Sequence, residues 1–291
     1  MTAANLILFG LGYTGTAIAA CAAASGWEVT ATSRNPSKRL APPGVNLTDF
    51  DCAAASLGEA THILQTAAPD ERGDPALARH GDAIRANPRL RWAGYLSTTG
   101  VYGDRDGDWV DEDTPVAPTV ARAQRRVEAE LAWVAALPGR PVDLFRLAGI
   151  YGPGRSAFDD LRSGQARRVL KTGHLFGRIH RDDVAAAVVA AMQQARGPGP
   201  RVLNLADDEP AASADVTAEA ARLLGVPVPP LLPFAEAVEG MSAMGRSFWN
   251  ENRRVRSGKT QAQLGLRWQY PTYREGLRAI LQQEVAERPL Q

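Results

Sequence analysis

Three glycines in Phe9-Gly10-Leu11-Gly12-Tyr13-Thr14-Gly15 fall at the spacing G-x-G-x-x-G, directly after a β-prone run and at the opening of an Ala-rich helical pattern. Each glycine has its own task at that spacing. Gly10 permits a tight turn, Gly12 lets the backbone come close to a diphosphate, and Gly15 allows helix and strand to pack closely. A helix opening there turns its first amides and the positive end of its dipole toward the anion. Gly10, Gly12, Tyr13, Thr14 and Gly15 are accordingly the residues expected to grip the pyrophosphate of a dinucleotide. The bland alternative is a glycine turn with no ligand; the strand–turn–helix context and the βα units behind it weigh against that.

Which dinucleotide should be legible at the end of the second strand pattern, Ala31-Thr32-Ser33-Arg34-Asn35, with Lys38 and Arg39 close behind. Sites for NAD place an Asp or Glu there to bind the ribose 2′-hydroxyl. No carboxylate is available, whereas Ser33 and Arg34 could hold a 2′-phosphate through charge-assisted hydrogen bonds. The expected cofactor is NADP, with NAD as the alternative. A solvated basic loop is the reading without a ligand.

Elements that position this turn come from alternating patterns. Strands are predicted at 5–9, 27–32, 45–50, 62–66, 92–97, 142–147 and 202–205, several of them continuously apolar, as in parallel strands buried on both faces. Helices are predicted at 16–25, 75–86, 120–136 and 183–195. The alternation gives an α/β fold, a doubly wound parallel Rossmann sheet. After residue 206 the pattern changes to Pro-rich turns and short helices near 214–224, 234–241, 259–264 and 273–283. The expected division is a dinucleotide-binding core of 1–150, with 175–205 returning to it. A smaller, mainly helical substrate-side lobe would comprise 151–174 and 206–291.

Composition narrows the class of partner. Lys and Arg number 33 against 32 Asp and Glu, so no global field draws the chain to nucleic acid or anionic lipid. The longest apolar helical run, 184–192, is too short to span a bilayer. The N-terminal apolar stretch lacks a basic n-region and a cleavage site, so a cytoplasmic location is expected. Cys21 and Cys52 make no CxxC pair and read as small buried hydrophobes; no metal site is expected. The acidic stretch Asp104 to Asp113 alternates with glycine but fails the spacing of a calcium loop and reads as a solvated surface loop.

Several segments taken together resemble the extended and atypical short-chain dehydrogenase/reductases, in their epimerase/dehydratase-like branch. They are the glycine turn, Asp51-Cys52, Ala67-Ala68-Pro69, Ser97-Thr98-Thr99-Gly100-Val101-Tyr102-Gly103, the run from Arg146 to Gly154, the run from Arg178 to Val184, and Tyr270 to Leu277. The resemblance runs through nearly the whole chain. It implies that Asp51 and Cys52 sit against the adenine, that Ala67 and Ala68 line the cofactor cleft, and that Thr98 is the hydroxyl bound to the reacting group.

It also exposes a departure. The family's proton-transfer pair is Tyr-x-x-x-Lys shortly before an Ala-Glu pair. Counting back from Ala129-Glu130 gives Arg122 and Arg126 at those two positions. A tyrosine beside a lysine can act as general acid or base. An arginine stays protonated and only donates, so it stabilises an anion but shuttles no proton. The proton would then come from water, from Tyr102 or from the ligand. His180 is a weak catalytic candidate, because Asp182 before an apolar run reads as a helix N-cap. The resulting expectation is an NADP-dependent oxidoreductase or epimerase/dehydratase-like enzyme on a small polar or anionic substrate, monomeric or homodimeric through helices 75–86 and 120–136. The alternative is a dinucleotide-binding sensor or regulatory protein without catalysis, with Arg122 and Arg126 on a solvated helix face.

Overall fold

The computed structural model describes residues 4–287. Its strands in chain order are β1 (Asn5–Phe9), β2 (Glu28–Ser33), β3 (Val45–Asp49), β4 (His62–Gln65), β5 (Trp92–Thr98), β6 (Trp109–Val110), β7 (Pro141–Leu147), β8 (Gly149–Tyr151), β9 (Arg168–Leu170), β10 (Arg178–His180), β11 (Gly199–Leu205), β12 (Leu231–Pro233) and β13 (Arg254–Val255). Helices are α1 (Tyr13–Ala24), α2 (Ala54–Leu57), α3 (Pro75–Ala86), α4 (Ala121–Ala136), α5 (Ala157–Arg162), α6 (Arg181–Met192), α7 (Ser213–Leu224), α8 (Phe234–Ala237), α9 (Ala243–Ser247), α10 (Gly258–Leu264) and α11 (Tyr273–Glu287).

Seven strands form one parallel sheet in the order β11-β7-β5-β4-β1-β2-β3, the doubly wound Rossmann arrangement. β1 lies between β2 and β4, with Leu6 opposite both Val29 and His62. A strand covered on both faces must be apolar throughout, and Leu6, Ile7, Leu8 and Phe9 are all fully buried. Strand order reverses between β1 and β4, so the loops leaving these two strands diverge and open a crevice at their carboxyl ends. Ile7, Phe9, Ile63, Tyr95, Trp133 and Leu144 belong to the core cluster packed on this sheet.

The chain divides into two compact units: Met1–Val101 with Pro118–Arg146 and Val184–Leu205, and Tyr102–Ala117 with Leu147–Asp183 and Ala206–Gln291. In the first, Asp143 of β7 is wholly buried and answered from three directions. Arg201 of β11 donates to both of its oxygens at 2.9 and 2.7 Å, Arg196 lies 2.9 Å from Oδ1, and the Trp92 indole of β5 donates to Oδ2 at 2.8 Å. One carboxylate thus fastens three neighbouring strands and is fully paired.

Within the second unit the short strands pair in parallel as β8 with β10, β9 with β12, and β6 with β13. Tyr151, Phe158, Tyr273, Leu277 and Ile280 form its principal apolar cluster, and α5, α7 and α11 supply most of its members.

Three expectations need correction. The helix at 183–195 starts at Arg181, so Asp182 stands in its first turn, and its amide donates to His180 Nδ1 at 3.2 Å. Asp182 is not the N-cap. Cys21 is half-buried and Cys52 exposed, both as free thiols. Cys52 ends a short 3-10 turn in which Phe50 takes the inward position, leaving the thiol outside. The acidic stretch is not simply solvated: Asp104 accepts from the Asn252 amide at 2.7 Å, Glu112 from the Thr260 hydroxyl at 2.6 Å, and Asp113 from Lys259. Its carboxylates anchor the 252–260 segment of the same unit.

Candidate functional site

The glycine turn leaves β1 at the point where the strand order reverses. Leu11 N donates to Thr32 O at 2.9 Å and Gly10 N to the Thr32 hydroxyl at 3.3 Å, extending the β1–β2 pairing into the loop. On the other side the Thr66 hydroxyl donates to the carbonyls of Phe9 and Gly10, at 3.0 and 2.6 Å. Two threonines therefore hold the turn from both flanking strands. Sequence reasoning passed over them, and a hydroxyl at the carboxyl end of each strand neighbouring β1 was the available signal.

Steric room differs sharply among the three glycines. Gly10 has φ +101°, a conformation closed to most side chains, and a β-carbon there would meet Thr66 Oγ1 at 2.8 Å. A β-carbon on Gly15 would collide with the Gly10 carbonyl oxygen. Gly12 has an ordinary φ of −90°, and a β-carbon there would find nothing within 4 Å. So Gly10 and Gly15 are required by the protein itself, whereas Gly12 keeps open a space that the protein does not fill.

That space faces the start of α1. Gly12 is its N-cap and brings no side-chain hydrogen bond, and the first turn contains no acidic residue. An α-helix offers its first amides no carbonyl of its own, and its N-terminus carries partial positive charge. Such a corner can accept an anion as extended as two linked phosphates. The residues present fit the diphosphate of NAD(P).

The neighbouring loop is held by a chain of hydrogen bonds. Ala67 N donates to Gln65 Oε1 at 3.1 Å, and Gln65 Nε2 donates to Asp74 Oδ2 at 2.8 Å. Asp74 Oδ1 then caps α3 by accepting from Ala76 and Leu77, each at 3.0 Å. Ala67 is thereby fixed beside the turn, half-buried, and Ala68 is exposed. Burial pushes the Asp74 carboxyl above its ordinary range, partly offset by these donors.

At the end of β2, Ser33 Oγ accepts from Asn35 N at 3.1 Å, and Arg34 is exposed. Past β3, Asp51 is paired with Arg79 at 2.9 Å, with Cys52 exposed next to it. Thr98 ends β5 half-buried, its hydroxyl accepting from Gly100 N at 3.1 Å. Gly10, Gly12, Gly15, Ala67 and the two threonines meet at the β1–β4 crevice; Ser33, Arg34, Asp51 and Cys52 lie along the loops after β2 and β3.

The two arginines behave differently from each other. Arg126 reaches back onto β5, donating to Leu96 O at 2.6 Å and to the Tyr95 hydroxyl at 3.2 Å. Arg122 is exposed, and between them Arg125 faces Glu71 at 3.5 Å. Burial pushes the Tyr95 phenol up to about 12, against the opposing charge of Arg126. One helical turn on, Glu130 receives the Ser97 hydroxyl at 2.5 Å and Arg146 through two bonds at 3.2 and 2.8 Å, all buried. This triad locks α4 against β5 and β7.

In the second unit Tyr102 is wholly buried. Tyr151 is nearly so, its phenol pushed upward mainly by burial and then by Asp207 and Asp183. His180 stands edge-on to Tyr151 at 5.2 Å, and burial lowers its pKa to about 4. It is a neutral, enclosed ring at physiological pH.

No group of His, Cys, Asp or Glu side chains among the described residues is placed to hold a metal ion, and no described helix is long and apolar enough to cross a membrane.

Comparison with known proteins follows this geometry. The chain is 28% identical over 287 residues to Protein YeeZ of Escherichia coli K12, covering 92% of this chain and 96% of that protein. A solved protein of Silicibacter pomeroyi, described as functionally unknown and conserved, is 46% identical, with a TM-score of 0.88 over 98% of this chain and 100% of that one. Human epimerase family protein SDR39U1 isoform 2, solved with NADPH, shares the fold at 22% identity and a TM-score of 0.76 over 96% and 99% of the two chains. Other fold neighbours were solved with NAD. Residues 6–206, which contain the glycine turn and, but for Asn5, all seven strands of the large sheet, match the family model described as NAD dependent epimerase/dehydratase family. The chain belongs to the NAD dependent epimerase/dehydratase family.

Proposed function

We propose that this chain binds NADP at the glycine turn and acts as an NADP-dependent oxidoreductase or epimerase/dehydratase-like enzyme on a small polar or anionic substrate. The observation that carries the reading is the contrast at the turn: Gly10 and Gly15 are sterically obligatory, whereas Gly12 leaves open space at the uncapped start of α1, where a diphosphate fits. When bound, the nicotinamide supplies hydride chemistry. The chain's own residues divide the remaining work. The first-turn amides at Tyr13 and Thr14 take the diphosphate, Ser33 and Arg34 the 2′-phosphate, and Asp51 and Cys52 the adenine end. Ala67 and Ala68 border the cofactor, and the Thr98 hydroxyl orients the reacting oxygen. In this reading Arg122 and Arg126 take the positions of the family's Tyr and Lys; Arg122 offers charge to an anion rather than a proton, and Arg126 braces the helix on β5. The same reading makes the protein cytoplasmic, a monomer or homodimer, with NAD as the alternative cofactor.

A second reading, an NADP-binding sensor without catalysis, is favoured by a specific observation. Arg126 is already committed to Leu96 and Tyr95, Tyr102 is enclosed, and His180 is an enclosed ring whose pKa burial lowers to about 4. Neither Tyr102 nor His180, the side-chain candidates of the sequence, is open to a ligand.

Fluorescence titration with NADPH and NADH, repeated on Arg34→Ala, tests the cofactor. NADPH should bind more tightly, and the substitution should erase most of that preference. Equal affinities unaffected by Arg34→Ala overturn the NADP assignment. Turnover of a carbonyl and sugar-nucleotide panel then separates enzyme from sensor.

A further inference from the structure

A pocket of about 400 Å³ opens within the second unit, bordered by α5, β10, α7 and α11. Tyr151, Tyr273 and Leu277 of the apolar cluster line it, with Val216 of α7 beside them. Gly276 fixes one wall: a β-carbon there would collide with the Tyr151 phenol, so α11 is notched where that ring rests. The walls are core side chains, set before any ligand arrives.

Arg178 of β10 reaches this pocket with half of its guanidinium unspent. Its Nη1 donates to the carbonyls of Phe176 and Ala211, at 2.9 and 3.0 Å. Nε and Nη2 meet no acceptor among the described residues, and neither is sealed from solvent. Asp207 and Asp215 act on this charge only through space. The free edge is the one on which an N–H of Nη2 runs parallel to that of Nε, the fork that pairs with both oxygens of a carboxylate.

Tyr273 adds a second unspent donor. It is 2% exposed, yet its hydroxyl has no partner among the described residues and is not closed off. Buried polar groups are nearly always hydrogen-bonded, so a hydroxyl left open toward a pocket points to a ligand. The carboxylates nearby do not compete for these donors. Asp159 accepts from the Ser156 amide and hydroxyl at 2.7 and 2.9 Å, and Asp160 is exposed, as is Arg155 of opposite charge.

We infer that this pocket binds a small organic carboxylate, its two oxygens on the Nε–Nη2 edge of Arg178, with the Tyr273 hydroxyl donating to one of them. Val216 and Leu277 then cover the apolar body of the ligand. Inorganic phosphate has no such body and fits less well. Every residue of the site belongs to the second unit, so the inference stands apart from the dinucleotide reading.

Isothermal titration of the full chain with hexanoate tests it, with hexanol, hexylamine and inorganic phosphate as controls. Hexanoate should bind saturably, about tenfold or more tighter than any control. Tyr273→Phe keeps the ring and removes a hydroxyl that the protein itself does not use, so it should fold normally and weaken hexanoate by about fivefold. Arg178→Lys keeps the charge and loses the fork, and should weaken it by about tenfold or more. NADPH titration should be unchanged in both. Absence of hexanoate binding at millimolar concentration overturns the site. So does equal or tighter binding of hexanol or phosphate, and so does hexanoate affinity that Tyr273→Phe leaves untouched.

Discussion

Arg126 of α4 donates to the main-chain carbonyl of Leu96 in β5 at 2.6 Å. This guanidinium is thus bonded to the sheet itself, with the Tyr95 phenol as its second acceptor. Arg126→Ala should cost about 1–2 kcal/mol in urea unfolding, from two lost hydrogen bonds, one of them charge-assisted to a carbonyl. NADPH affinity should change by less than about twofold. A large loss of affinity with unchanged stability would show instead that this guanidinium serves a ligand.

The glycine turn makes a paired prediction. Gly15→Ala should destabilise the chain by about 3 kcal/mol, because the methyl meets a backbone carbonyl that cannot move aside. Gly12→Ala should leave the melting temperature nearly unchanged, since its φ suits any residue and the methyl enters open space. NADPH affinity should nevertheless fall by about tenfold or more, as the methyl occupies the place of a phosphate. Thermal unfolding and fluorescence titration on both variants separate the two effects.

Glu130→Gln should be among the most damaging single changes in the first unit. It keeps an acceptor for the Ser97 hydroxyl but leaves the buried guanidinium of Arg146 without a counter-charge. The expected loss is about 3–5 kcal/mol, read from denaturant midpoints. Replacing Glu130 and Arg146 together by Met should restore much of it.

Acid should loosen the sheet through His62. It is buried between Trp27 and Trp92, and burial lowers its pKa from 6.5 to about 4. The unfolded chain takes up a proton at higher pH than the folded one. Stability from this group is therefore full above about 6.5 and is lost as pH falls toward about 4, by roughly 3 kcal/mol at most. Stability measured against pH should show this limb, and His62→Phe should flatten it.

Much of the first unit was legible because its signals are long-range in pattern and local in chemistry. Each strand of the large sheet falls within three residues of its predicted bounds, and α3 matches at both ends, where Asp74-Pro75 supplies a cap followed by proline. The short strands of the second unit, two or three residues each, carry no period to read. Hidden too were the polar contacts that hold the turn. Thr32 follows Thr30 and precedes Ser33, and Gln65 and Thr66 close a short apolar run, so nothing local singles them out, and their partners lie 22, 56 and 9 residues away for Thr32, Thr66 and Gln65. The acidic stretch looked solvated for the same reason: Glu112 meets Thr260 across 148 residues.

Asp143 sets the order in which the far edge of the sheet can mature. Its two guanidinium partners leave the ribosome more than fifty residues after it, so a nascent or truncated chain ending before Arg196 holds a carboxylate with no cation to enter the interior beside it. The β7 edge then has to stay hydrated until Arg196 and Arg201 arrive. Chains interrupted short of β11 should be the ones most readily cleared by proteases.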